Sequence, residues 1–298
     1  MPITLRGARV LKDLTNMDFR VLNMIETLLR KGEYAPIDKI VSYSKYRDKD
    51  VDLILSKLNK MKLIRRWSGG FTGYTLTLSG FDALALNILY NKKIVYGVGS
   101  SRGVGKESDI YRAIDFDNNE IMLKINRTGR ASFQQIKRKR DFLEGRFHYS
   151  IFSISATSAK KEYEILKKLK NQNLPVPDVK GYNRHIIAMN VIEGIELVNV
   201  REIRKPINVL EKIIEFAKEL YQKHGLVHAD LTEYNILFDE TTEQITIIDF
   251  PQAVEINHPE ALEYLRRDFI HFFDYFGKKW GVGMDDHETV IEYIIGKK

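Results

Sequence analysis

Hydrophobic residues in the first ninety positions recur at helical spacing and then change to a strand-like pattern. Thr15 and Asp18 stand three residues apart at the start of such a run, as the two partners of a capping box do. Gly32 follows the run and is a typical helix stop. The predicted elements, in chain order, are helices over 15–31, 37–41 and 50–63, strands over 64–67 and 74–78, and a helix over 81–90.

This order of three helices and a β-hairpin resembles a winged helix-turn-helix domain, which we assign to residues 1–92. Such a fold can place its third helix in the major groove of a nucleic acid. The segment 45–66 carries lysines and arginines that fit this contact. Asp48, Asp50 and Asp52 lie among them, and a surface that faces phosphates would not favour these carboxylates. Nucleic-acid contact and protein docking both stay open for this domain.

Charge and composition indicate a polyanionic partner and exclude several kinds of site. The chain has 47 basic and 40 acidic side chains and a formal net charge of +7. Residues 1–93 and 124–146 are its two basic regions. The absence of cysteine excludes disulfides, cysteine-ligated metals and cysteine nucleophiles, and fits a cytoplasmic location. No apolar run reaches membrane-spanning length, so we expect no membrane partner.

A glycine-rich segment, residues 97–109, lies between two further predicted strands at 94–96 and 110–113. Glycine lets backbone N–H groups approach phosphate oxygens closely, so such a loop can bind phosphates. A plain tight turn has the same composition. The interpretation as a phosphate site therefore depends on residues further along the chain.

One lysine, Lys124, lies inside the apolar run 121–125, which predicts a strand. A lysine there is costly to bury unless it meets an anion. Protein kinases use a lysine in this setting to hold the α- and β-phosphates of ATP, paired with a glutamate on a helix. The predicted helix over 158–166 offers Glu162 and Glu164 for this pairing. A structural ion pair is the alternative role for Lys124.

The segment around His228 matches the catalytic pattern H-x-D-L-x-x-x-N, with Asp230 and Asn235 five residues apart. The aspartate can orient a nucleophilic hydroxyl or water, or accept its proton, and the asparagine can bind Mg²⁺. Asp249 and Phe250 end a predicted strand, and this aspartate supplies a second hard oxygen ligand. The order of loop, lysine, glutamate and these two motifs predicts phosphoryl transfer from ATP.

The complete set resembles the RIO family of atypical protein kinases. The similarity is greatest to its second subfamily, in which a winged helix precedes the kinase domain, and the length is more like that of archaeal members. The implied fold class is α+β, with a winged helix-turn-helix domain followed by a two-lobed protein-kinase-like domain over 93–298. Its N-lobe covers about 93–188 and its C-lobe about 193–298. The segments that carry the resemblance are 105–111, 153–163, 183–185, 226–230 and 248–252.

The resemblance implies a role for each matching residue, with ATP and Mg²⁺ or Mn²⁺ as cofactors. Lys124 contacts the phosphates, Glu162 holds Lys124, and Asp230 is the catalytic aspartate. Asn235 and Asp249 ligate the metal, and Asp249 can also accept the phosphoryl group. The remaining ATP-binding residues are Gly103, Gly105, Lys106, Glu107 and Ser108 at the phosphates and Met189, Asn190 and Ile192 at the adenine.

Departures from ordinary kinases narrow the implied activity. Ala229 replaces the arginine of the H-R-D pattern, Pro251 replaces the glycine after Asp-Phe, and no A-P-E segment follows. Without that segment the groove for a peptide substrate is missing, so autophosphorylation and ATP hydrolysis are expected. Two alternatives stay open: a small-molecule phosphotransferase of the aminoglycoside or choline kinase type, and an ATP-binding, nucleic-acid-associated scaffold.

The resemblance also implies a role in maturation of the small ribosomal subunit, with ribosomal RNA or a pre-small-subunit particle as partner. The basic loop 127–146, which contains the run 137–140, and the winged-helix segment 45–66 would make this contact. Residues 127–150 are polar and lack apolar periodicity, so we predict a mobile loop there.

Overall fold

Two compact units make up the part of the chain that the computed structural model describes, which is residues 6–105, 107–127, 144–282 and 287–297. The first unit runs to residue 160 and includes 180–190, and the second contains 161–179 and the residues from 191 onward. The first unit holds both the winged-helix elements and the strands of the expected N-lobe. The domain boundary at residue 92 stays a prediction.

From residue 6 to residue 190 the chain alternates between helices and antiparallel strands. Its helices are α1 (Arg6–Arg9), α2 (Asn16–Leu29), α3 (Ile37–Ser44), α4 (Asp48–Lys60), α5 (Leu78–Asn91) and α6 (Glu144–Lys170). Its strands are β1 (Ala35–Pro36), β2 (Ile64–Ser68), β3 (Thr72–Leu76), β4 (Gly97–Val104), β5 (Ser108–Ile114), β6 (Glu120–Asn126), β7 (Val179–Asn183) and β8 (Ile186–Asn190).

The winged-helix elements follow the predicted order with shifted ends. The capping box forms: Thr15 N–H donates to Asp18 Oδ2 at 2.7 Å, and Asp18 N–H donates to Thr15 Oγ1 at 3.3 Å. Helix α4 ends at Lys60 rather than near residue 63, because Lys62 adopts a left-handed φ of 59°. Strand β3 ends at Leu76 because the Thr77 hydroxyl caps α5, which begins one residue later.

A five-stranded sheet in the order β4–β5–β6–β8–β7 follows α5. The strand predicted at 94–96 is wrong: β4 begins at Gly97, and Ile94 N–H instead donates to Leu89 O at the end of α5. The mobile loop predicted over 127–150 is wrong for residues 144–150, which belong to α6. The rest of that loop, from residue 128, lies outside the described residues.

Helix α5 is shared between two hydrophobic cores. Phe81 and Leu84 pack into the core of the winged helix, which also contains Phe152 of α6. Leu86 and Leu89 pack into the core under the five-stranded sheet. Each buried side chain of this size contributes about 1.5–3 kcal/mol to folding. Helix α5, predicted to end the first domain, therefore also contributes to the core under the five-stranded sheet.

The second unit consists of helices around short strands and contains its own large core. Its helices are α7 (Pro206–His224), α8 (Ala261–Trp280) and α9 (His287–Ile295). Its strands are β9 (Ile195–Glu196), β10 (Leu226–Val227), β11 (Ile236–Asp239), β12 (Gln244–Ile247) and β13 (Val254–Glu255). The fully buried rings of Phe250, Phe269 and Phe272 belong to this core. Within the described ranges, every helix is too short or too polar to cross a membrane.

Candidate active site

The loop between β10 and β11 brings two of the predicted residues together. Asn235 Nδ2 donates to Asp230 O at 2.7 Å and to Asp230 Oδ2 at 3.2 Å. Asn235 N–H also donates to Thr232 O at 2.9 Å, which closes a turn between them. The five-residue spacing of the motif therefore produces a loop that fixes the asparagine against the aspartate.

Asp249 lies two residues after β12, in the same unit as this loop. Ile248 N–H donates to Asn235 O at 2.9 Å, so the backbone before Asp249 is attached to the Asn235 turn. Asp249 has a φ of 71°, a left-handed conformation that costs a residue other than glycine about 1–2 kcal/mol. Strain of this kind is found at functional sites, where the surrounding structure maintains it.

The electrostatic environment of Asp230 differs from that of an ordinary surface aspartate. Desolvation raises the pKa of Asp230, and the hydrogen bond from Asn235 opposes this change. The nearby Asp249 carboxylate raises the pKa further, whereas the charge of Arg267 lowers it. Two carboxylates that repel each other in this way create a place for a cation.

His228 and Phe250 pack together beside the backbone that carries Asp230 and Asp249. His228 is buried, and its Nε2 donates to Ile248 O at 3.1 Å. Its ring centre lies 4.6 Å from that of Phe250, which is fully buried. His228, two residues before Asp230, thus packs on Phe250, the residue after Asp249, and bonds to Ile248, the residue before it. The segments that carry the two aspartates are therefore fixed to each other.

Three side chains of helix α8 hold the loop of residues 228–235, which we call the catalytic loop. Sequence reasoning missed all three. Leu231 N–H donates to Asp268 Oδ2 at 3.1 Å, and Arg267 Nη2 donates to Ala229 O at 2.5 Å. His271 pairs with Glu233. Burial raises the pKa of Asp268, and the hydrogen bonds from the loop and from Arg267 oppose this change. In the sequence, the signal for Asp268 was its position as the one charged residue on the apolar, mostly phenylalanine face of this helix.

Glu162 is also buried in the second unit, on α6. Its Oε1 accepts a hydrogen bond from Phe250 N–H at 3.4 Å. The neighbouring Lys161 donates from Nζ to Pro251 O at 2.9 Å, and burial lowers the pKa of this lysine. Helix α6 is therefore attached to the segment that follows Asp249. The pairing of Glu162 with Lys124 stays a prediction.

Lys124 occupies the centre of the sheet in the first unit. It lies on β6 between Ile110 of β5 and Ile187 of β8, and only 7% of it is exposed. The buried lysine that the apolar run indicated is therefore present. Met189 pairs with Met122 across the same two strands and is buried.

The placement of the glycine-rich segment 97–109 between two strands is wrong for most of its length, because residues 97–104 form β4 and β5 already begins at Ser108. Gly105 N–H donates to Ser108 O at 2.8 Å, and a Cβ at Gly105 would lie 3.0 Å from that oxygen. A Cβ at Gly103 would meet nothing within 4 Å. Glu107 O accepts from Arg127 N–H at 2.6 Å. Lys106 lies outside the described residues.

The remaining predicted positions, Asn190 and Ile192, are the last residue of β8 and the second residue after it. Asn190 pairs with Ile121. Ile192 lies in the segment that follows, in the second unit, and is half-buried. Their contact with adenine stays a prediction.

A magnesium ion fits the donors that the second unit offers. Within the described residues, no group of three or more histidine, cysteine, aspartate or glutamate side chains could hold a metal on its own. Mg²⁺ is commonly held by one or two carboxylates together with substrate phosphates and water. The assignment of Asn235 and Asp249 as the protein ligands of such an ion stays a prediction.

Two family models match most of the chain, and known proteins of the same family are similar to it. The model of the RIO domain matches residues 109–289, and that of the Rio2 N-terminal domain matches 11–92. The RIO-type serine/threonine-protein kinase Rio2 of Methanocaldococcus jannaschii is 37% identical over 275 residues, which are 89% of this chain and 99% of that protein. Serine/threonine-protein kinase rio2 of Dictyostelium discoideum is 36% identical, over 91% of this chain and 53% of its own length.

Solved structures show the same fold. The crystal structure of the Rio2 kinase–ADP/Mg²⁺–phosphoaspartate complex from Chaetomium thermophilum is similar with a TM-score of 0.83. Its sequence is 31% identical, and the match covers 97% of this chain and 89% of that one. This chain spans about half the length of the Dictyostelium relative and nearly all of the archaeal one. The expected fold class is confirmed, and the chain belongs to the RIO kinase family, with an N-terminal domain of the Rio2 type.

Proposed function

We propose that this protein is an ATP- and Mg²⁺-dependent RIO-type serine/threonine kinase and ATPase that phosphorylates itself. The observation that carries the proposal is the hydrogen-bonded arrangement of Asp230, Asn235 and the strained Asp249 in one unit. Phosphoryl transfer needs positioning and charge neutralisation more than covalent help from the protein. These three side chains supply a base and the ligands of a divalent cation.

Each residue has a defined part in the proposed reaction. Lys124 neutralises charge on the α- and β-phosphates, with Glu162 as its partner. Asn235 and Asp249 would hold Mg²⁺, and the bound cation would supply charge neutralisation for the transferred phosphate. Asp230, whose pKa desolvation raises, orients the attacking water or hydroxyl and can take its proton. The loop residues Gly103, Gly105, Lys106, Glu107 and Ser108 bind phosphate oxygens, and Met189, Asn190 and Ile192 bind adenine.

Asp249 is the proposed phosphoryl acceptor. One of its carboxylate oxygens bonds to the γ-phosphorus while the bond from that phosphorus to the bridging oxygen of ADP breaks. Water then hydrolyses the acyl phosphate, which releases phosphate and regenerates the carboxylate. Two observations support this cycle: only residues 251–260 separate Phe250 from α8, so little chain is available to seat a peptide, and the similar Chaetomium kinase was solved as a phosphoaspartate complex.

Radioactive ATP labelled at the γ-position tests this function in the wild-type protein. With Mg²⁺, we expect free phosphate and protein-bound label that is stable in acid but lost in base or hydroxylamine, as an acyl phosphate is. Base-resistant label on serine that moves to other proteins would instead show a conventional kinase. ADP release that depends on choline or an aminoglycoside would show a small-molecule phosphotransferase. ATP binding without transfer or hydrolysis would leave only the scaffold.

We further propose that the winged helix contacts RNA of the small ribosomal subunit, in the cytoplasm to which the cysteine-free composition points. Two of the basic side chains in segment 45–66 already have acidic partners. Lys57 pairs with the buried Asp18 at 2.7 Å, and Arg47 pairs with Asp50 at 2.8 Å. Lys49, Lys60 and Arg66 are exposed. Phe71, which is 46% exposed and packs on Trp67 with ring centres 4.8 Å apart, adds a surface on which a base can stack. The basic run 137–140 lies outside the described residues.

Changing Lys49, Lys60 and Arg66 together to glutamine is expected to weaken binding of a small-subunit RNA fragment. Each phosphate contact that is lost should reduce the slope of log K against log salt by about 1. Fluorescence anisotropy across a salt series measures this slope. Lys278→Gln is the matched control, because that exposed lysine lies on α8. If the triple variant binds RNA as the wild type does, the winged helix docks on protein.

A further inference from the structure

Four buried polar side chains in the first unit form a cluster to which no role has yet been assigned, although two of them, Asp109 and His185, lie in the motif segments 105–111 and 183–185. Asp82 of α5 lies at the centre, and its Oδ2 accepts from Arg127 Nη2 at 2.8 Å. His185 Nε2 lies 2.7 Å from the other oxygen of Asp82. Arg127 Nε also lies 3.5 Å from Asp109 Oδ2. None of the four is more than 7% exposed.

The charges in this cluster depend on one another. Burial alone would raise the pKa of Asp82, but the charge of Arg127 and the hydrogen bond with His185 hold that pKa at about 2. Burial lowers the pKa of His185, and because a carboxylate can only accept, His185 Nε2 donates to Asp82 Oδ1. Removing the charge of Asp82 would leave the Arg127 guanidinium without its short ion pair, with the longer contact to Asp109 at 3.5 Å and the contact to His185 at 3.3 Å remaining.

Arg127 joins this cluster to the proposed phosphate loop by two routes. Its backbone N–H donates to Glu107 O at 2.6 Å, and its guanidinium reaches Asp109. Ser108 lies between these two residues. Arg127 therefore holds the loop on both sides of the serine whose hydroxyl is predicted to face the phosphates.

The other side of the loop has a weaker attachment. Strand β4 is one of the two edge strands of the sheet, and its pairing with β5 shifts register between Val98 and Ser101 and again between Ser101 and Gly103. The pairing of β5 with β6 is regular throughout, from Ser108 opposite Asn126 onward. The position of the loop is thus determined mainly from the β5–β6 side, where Arg127 follows β6 directly.

We propose that Arg127, held by Asp82 of the winged helix, is a positioning residue for the phosphate-binding loop, so that the winged helix sets the affinity for Mg–ATP. The inference rests on the proposed ATP-dependent function. It assigns to the winged helix a part in nucleotide binding in addition to its contact with RNA.

The experiment compares two ion pairs that both join winged-helix elements to the sheet. Asp82→Asn weakens the pair with Arg127. The matched control, Glu26→Gln, weakens the pair of Glu26 on α2 with Arg184 in the β7–β8 turn, whose closest atoms are 2.6 Å apart. The Kd for Mg–ATP, the KM and kcat of ATP hydrolysis, and the melting temperature are measured for both variants and the wild type.

Asp82→Asn is expected to raise the Kd and KM for Mg–ATP about tenfold, with kcat within about twofold of the wild type. Glu26→Gln is expected to lower the melting temperature without changing KM. Equal KM values for Asp82→Asn and the wild type, or equal increases in both variants, would overturn the proposal. If Asp82→Asn does not fold, Arg127→Lys keeps the charge but loses the planar fork, and the same KM comparison decides. A wild type that neither binds nor hydrolyses ATP would refute the proposed function itself.

Discussion

Asp249→Asn is expected to abolish both ATP hydrolysis and protein-bound label, with kcat on the order of 10³-fold or more below the wild type. The amide keeps the size of the side chain but removes the negative charge that, in the proposed reaction, binds Mg²⁺ and attacks the γ-phosphorus. Asp230→Asn should reduce kcat by a similar factor, because an amide cannot take a proton from water. ADP release under saturating Mg–ATP measures both effects, and circular dichroism verifies the fold.

Asp274→Asn provides the control for this pair of variants. Asp274 lies on α8 in the same unit, with a 62% exposed side chain that pairs only loosely with Lys278. Its replacement tests whether loss of any carboxylate from this unit matters, and kcat should stay within about twofold of the wild type. Hydrolysis by Asp249→Asn at more than about a tenth of the wild-type rate would contradict the assignment.

The part of the site that could be predicted from sequence is the part built from local contacts. Asp230 and Asn235 bond to each other within one loop, so a fixed spacing is enough to identify them. Lys124 was recognisable because it interrupts an apolar strand. In both cases the chemistry and the signal lie within a few consecutive residues.

The support of the catalytic loop by α8 could not be found in the same way. Asp268 accepts from the N–H of Leu231, and the two residues are separated by the β11–β12 hairpin, β13 and the first turns of α8. No spacing rule connects them. Only the packing of α8 brings this aspartate to the loop, and packing over such distances is not encoded in a short motif.

Errors at element ends also have physical causes. Ile94 and Val95 have high strand propensity, but Val95 is buried in the core beneath the sheet and the backbone of Ile94 closes the end of α5. Their branched side chains therefore serve packing and not strand pairing. Asp82 carried an overlooked signal, because a single acid within an otherwise apolar helix predicts a buried partner.

Phe250→Ala is expected to lower the free energy of unfolding by about 3–5 kcal/mol, because it removes a fully buried ring and leaves a cavity. The same change removes the surface on which His228 packs, and this histidine holds the backbone just before Asp249. ATP hydrolysis per folded molecule should therefore fall as well. Urea unfolding followed by circular dichroism gives the stability, and activity is measured well below the unfolding transition.

Phe276→Ala separates the loss of stability from the loss of activity. Phe276 is equally buried, on α8, and packs on Trp280 and Phe272 near the end of that helix. Its loss should cost a similar 3–5 kcal/mol or so, because the ring and its burial are alike. The ring contacts of Phe276 with Phe272, Tyr275 and Trp280 lie within its own helix, so hydrolysis per folded molecule should stay near that of the wild type. Equal losses of activity in the two variants would mean that Phe250 stabilises the core without positioning the aspartates, whereas a loss confined to Phe250→Ala identifies its ring as the support that keeps Asp249 in its left-handed conformation.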